Sequence, residues 1–68
     1  MNLIEELQEE IKRVNEIIKV YEDPMLNGAG IFAATMMKGS IKQAENAIAQ
    51  MDTVAMLSAI KDLKEYEL

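Results

Sequence analysis

Apolar residues recur at spacings of three and four through the first third of the chain: Ile4, Leu7, Ile11, Val14, Ile18 and Tyr21. That rhythm places them along one heptad seam of a helix. Leu3 and Ile17 widen the seam into a broader apolar face. Asn2 followed by Glu5 resembles a capping box, and Glu5, Glu6, Glu9 and Glu10 suit the positive end of the helix dipole. Glu9 and Arg13 stand four apart in the favourable order. Pro24 disfavours helical backbone at the residue before it, so the first helix is expected over 3–22.

Residues 23–30 read DPMLNGAG, in which Asp-Pro and Asn-Gly are turn signals. A second seam follows at Ala34, Met37, Ile41, Ala44, Ile48 and Met51, predicting a helix over 31–51. Gly39 falls inside it, where glycine costs about 1 kcal/mol relative to alanine. Either a neighbouring chain packs at that point or the helix bends there, and the small seam residues favour close packing. Asp52 is a natural cap for a third helix over 53–66, with Val54, Leu57, Ile60 and Leu63 as its apolar positions and Met56 nearby. Lys61 and Lys64 suit its C-terminal end. So short a junction predicts antiparallel neighbours. The expected fold is all-α: one domain over 1–68, with a long N-terminal helix followed by an antiparallel helical hairpin.

Composition adds one element to this picture. Sixty-eight residues bury only about 60% of their unfolded surface, so the core is marginal by itself. The chain has no cysteine, which removes disulfides and thiolate metal sites. It has no histidine, the commonest metal ligand and the usual base near neutral pH. Self-association is the remaining means of stabilisation, so a homo-oligomer is expected, built through the heptad seam or the small-residue face. The formal net charge of -5 opposes nonspecific binding to a nucleic-acid polymer. The Glu-rich start does not match a signal peptide, and the uncharged stretch is too short to span a bilayer. A cytoplasmic protein without a membrane partner is expected.

Catalytic chemistry finds no support in the sequence. Ser40 and Ser58 are the only serines, and no cysteine or histidine exists to complete a triad. The N-terminal glutamates fall off the apolar seam and read as a solvated face, not a metal site. The expectation is therefore no enzyme, no cofactor and no metal. What stands out is residues 27–40, NGAGIFAATMMKGS, within a run that carries no charge between Asp23 and Lys38. Its glycines lead into a helix N-terminus, where free backbone N–H groups and the dipole suit an anion. Candidate ligand-binding residues are Tyr21, Gly28, Gly30, Phe32, Thr35 and Lys38. Gly28 and Gly30 would present backbone donors to phosphate, and Thr35 and Lys38 a hydroxyl and a positive charge. Tyr21 or Phe32 would stack on a base. The competing reading is an ordinary interhelix turn followed by a solvated lysine face.

The run over residues 28–67 resembles a pattern in small proteins of tailed phages. Its elements are Gly30, Phe32 and a small-residue and methionine run, then Ile41, Ala44, Glu45, Ala47 and Ile48. Asp52 forms the break, followed by Met56, Leu57 and a closing Leu63-Lys64-Glu65. Short helical phage proteins of this look include the anti-CBASS sponges. That resemblance implies a non-enzymatic viral protein in the host cytoplasm. It would bind a cyclic nucleotide immune signal, such as a cyclic dinucleotide, between subunits and withhold it from host defence. The alternative, from a different class, is a small oligomeric adaptor that docks a host or phage protein through the uncharged stretch.

Overall fold

The computed structural model describes residues 2–68, and the described residues form three α-helices with no strand. They are α1 (Leu3–Tyr21), α2 (Ile31–Ala49) and α3 (Thr53–Lys64), with a 3₁₀ turn at Pro24–Leu26 between the first two. Each helix packs against both others. The bundle measures 38 × 19 × 16 Å, and its long axis accommodates the 19-residue helices, each about 28 Å long.

The α1 seam is consumed inside the chain. Leu7, Val14, Ile17 and Ile18 are buried, while Ile4, Ile11 and Tyr21 pack on the core from its edge. Of the expected α2 seam, Ala34, Met37, Ile41 and Ala44 are buried along with Ala47, Ile48 packs at the edge of the core, and Met51 is exposed. Both faces thus contribute most of their apolar residues to the core of the single chain. In α3 the core positions are Met56, Ala59, Ile60 and Leu63, whereas Val54 and Leu57 are exposed. The expected series from 54 to 63 advances in steps of three only. Each such step drifts by about 60° around a 3.6-residue helix, so three steps turn through about 180° and the four positions cannot share one face.

Local chemistry sets the ends. Asn2 Oδ1 accepts from the Glu5 N–H at 2.8 Å, and Asp52 Oδ1 accepts from the Ala55 N–H at 3.1 Å. Both are N-caps of the expected kind. Asp23 caps the 3₁₀ turn by accepting from the Met25 N–H at 2.9 Å. The second helix ends at Ala49 and not at Met51, because Met51 turns left-handed at φ 54°. The Asp52 N–H then donates to the Ala47 carbonyl and the Met51 N–H to the Ile48 carbonyl, each at 3.0 Å. These are the two bonds of a Schellman motif, with methionine in the place where glycine is usual.

The third helix ends at Lys64 under tertiary control. Arg13 of α1 donates to the Leu63 carbonyl at 2.8 Å and to the Tyr66 carbonyl at 2.7 Å. Its guanidinium is held by Glu10 at 3.0 Å, one residue nearer than the Glu9 expected from spacing. The Tyr66 hydroxyl shares a 2.9 Å hydrogen bond with the Ser40 hydroxyl of α2. The end of α3 is thus fastened to both other helices. Arg13→Ala leaves two carbonyls without their charged donor and is expected to lower stability by about 1–2 kcal/mol, its partial exposure moderating the loss. In a domain of this size that is a fall in melting temperature of roughly 4–8 °C per kcal/mol. Arg13→Lys should recover only part of it, because an ammonium lacks the planar fork. Thermal melts of both variants by circular dichroism check this.

Candidate functional site

The six sequence-derived candidates lie along the end of α1, the connection and the first half of α2. The chain leaves α1 at Glu22 and passes through left-handed Asn27 and Gly28, at φ 53° and 83°. It enters α2 at Gly30, which is buried. A Cβ on Gly30 would lie 2.2 Å from the Tyr21 carbonyl oxygen, so only glycine permits this approach of α2 to the end of α1. Gly30 and Tyr21 are therefore joined by backbone packing, and Gly28 supplies the turn.

The polar candidates have partners within the chain. The Thr35 hydroxyl donates to the Ile31 carbonyl at 2.8 Å, a helix back-bond. Lys38 pairs with Glu22, the residue that caps α1, and both side chains are exposed. Exposed pairs of this kind contribute little and exchange readily, but they set a carboxylate beside the ammonium. Phe32 is 78% exposed and has no role in the core. The N-terminus of α2 has no side-chain cap: the Ile31 N–H reaches the Gly28 carbonyl at 3.2 Å and the Ala34 N–H reaches the Gly30 carbonyl at 3.0 Å.

A second feature was not apparent from the linear pattern. An open groove of about 700 Å³ lies between α2 and α3. Gly39, Ala55 and Ala59 line it with small surfaces, Met36 and Gln43 border it, and Ser58 and Asp62 add polar groups from α3. The Ser40–Tyr66 pair also lines it. Gly39 faces open space: a Cβ there would meet nothing within 4 Å. None of the described residues supplies the close packing its small neighbours suggest. Phe32 and Met36 stand one turn apart on α2, both exposed, and Gly39 follows three residues later. The strip and groove contain no cation, and the single formal charge is Asp62.

Among the described residues, no group of three or more acidic side chains gathers as a metal site, and no helix is long and apolar enough to cross a membrane. Gly30→Ala drives a methyl into the Tyr21 carbonyl and is expected to destabilise the fold by about 2–3 kcal/mol, as overpacking does. Gly28→Ala should lose about 1–2 kcal/mol through its left-handed backbone alone. Urea titration of the two variants separates these effects. No family model, no curated protein and no solved structure matches this chain.

Proposed function

We propose that this chain is a non-enzymatic protein-interaction module, working through the uncharged α2 strip and the groove beside it. The observation that carries the reading is Gly39. A glycine inside a helix lowers stability by about 1 kcal/mol relative to alanine. Here nothing in the chain occupies the space a side chain would fill. A bare backbone point beside exposed Phe32 and Met36 suits a surface that another helix or strand approaches closely. Interaction sites are typically depleted of charge at their centre and enriched in aromatic residues and methionine, as this strip is. On this reading α2 and α3 form an antiparallel hairpin that presents the strip, and the docked partner is a host or phage protein in the cytoplasm. A second copy of the chain is a competing occupant, giving the homo-oligomer that a small core favours.

A second reading is sequestration of a cyclic nucleotide, in the manner of the anti-CBASS sponges that the sequence resembles. One observation favours it: the uncapped start of α2 lies beside exposed Phe32, within two turns of Lys38. An anion there would draw Lys38 from Glu22, and Phe32 would offer a face to a base. Gly28 and Thr35 would complete such a cradle, with Gly30 and Tyr21 shaping it from beneath.

The two readings separate in a pair of measurements. Gly39→Ala should raise the stability of the isolated chain by about 0.5–1 kcal/mol, because a methyl there meets only solvent. The same variant should weaken association, read by sedimentation velocity for self-assembly and by cross-linked capture for other proteins. Unchanged association would remove Gly39 from the interface. A thermal-shift series with cyclic dinucleotides, cyclic oligonucleotides and mononucleotides tests the second reading. A ligand at a hundredfold excess over its dissociation constant adds about 2.7 kcal/mol of stability. A selective rise with one cyclic nucleotide would favour sequestration, and a flat series would exclude it.

A further inference from the structure

We propose that the α2–α3 groove receives a basic side chain, arginine or lysine, projecting from the protein partner. The inference rests on the interaction reading and deepens it by naming the chemistry of the occupant.

The argument begins with Asp62. It lies in the last turn of α3, where the helix dipole disfavours an anion and where Lys61 and Lys64 match the expected sign. An acid at that position works against its own helix. The ion pairs among the described residues engage Glu6, Glu10, Glu16 and Glu22, and none engages Asp62. Its side chain lines the groove. The carboxylate is therefore available where no cation among the described residues pairs with it.

The rest of the groove suits the stem behind a cation. Ala55, Ala59 and Gly39 form small apolar surfaces, along which the methylenes of a lysine or arginine can lie while the charged head stays hydrated. Ser58 and Gln43 stand on the border and can accept from a guanidinium or ammonium. The open groove of about 700 Å³ has room for such a side chain. The formal net charge of -5 draws a basic partner from a distance and repels an acidic one. An anionic occupant would meet a carboxylate and no positive charge.

The test uses the whole chain, labelled with ¹⁵N, and four blocked pentapeptides. Their central residue is arginine, lysine, glutamine or glutamate, flanked by alanine and leucine. The arginine and lysine peptides should shift the amides of Gly39, Ser40, Ser58 and Asp62. Their affinity should exceed that of the glutamate peptide by about tenfold, the effect of one charge-assisted contact. Asp62→Asn should abolish that preference and leave the thermal melt unchanged or slightly raised, since it relieves the dipole conflict. Shifts confined to other surfaces, no shifts at all, or an Asp62→Asn variant with the preference intact would each overturn the proposal. Equal binding of all four peptides in the groove would overturn the cation preference alone and leave the interaction reading standing. The interaction reading falls separately, when Gly39→Ala leaves association untouched.

Discussion

The structure depends on how closely α2 can approach its two neighbours. Ala34, Ala44 and Ala47 present only methyl groups to the core they share with larger side chains, among them Leu7, Val14 and Leu63. Three helices can then share thirteen buried apolar residues in a chain of 68. Bulkier residues at those alanines would separate the helices and open voids that dispersion forces could not fill. The approach also fixes the handover at Gly30, where α2 must begin directly against the Tyr21 carbonyl. Core alanines and entry glycine are two parts of one steric requirement.

That requirement explains which parts of the fold were legible in the sequence. The α1 seam was readable because strict three-and-four spacing survives any helical packing, and its residues are the ones that turn inward. Spacing cannot reveal whether the helix that covers the seam belongs to the same chain, and within this chain α2 and α3 cover it. The α3 face was misjudged at Val54 and Leu57, where residue type agreed and angular position did not. The early end of α2 was hidden because methionine gives no warning of a left-handed backbone. Arg13 was assigned a local partner, whereas its principal acceptors lie fifty and fifty-three residues away.

Of the candidate site, the sequence displays the residues but not their surroundings. The uncharged run does mark an unusual surface, because charge is a property of composition. What the run cannot display is the neighbour brought beside it by folding. Glu22 meets Lys38 across sixteen residues, and α3 contributes half of a groove to which the run supplies Met36. Gly28, Gly30 and Gly39 look alike in the sequence and have three separate environments: a left-handed turn, a crowded backbone contact and open solvent. Only the last leaves a position unexplained by the needs of the fold, and it is there that function is most economically sought.

The clasp at the end of α3 has a consequence for how the molecule comes into being. Its tertiary hydrogen bonds join residue 13 to residues 63 and 66, and residue 40 to residue 66. They cannot form until α3 has been made. A nascent chain carrying α1 and α2 alone would expose the apolar surfaces that α3 covers, with no second core to shelter them. Small domains of this size fold as one cooperative unit. The three helices therefore close in a single event, and residues 63 and 66 act as the fastening that admits no half-built state.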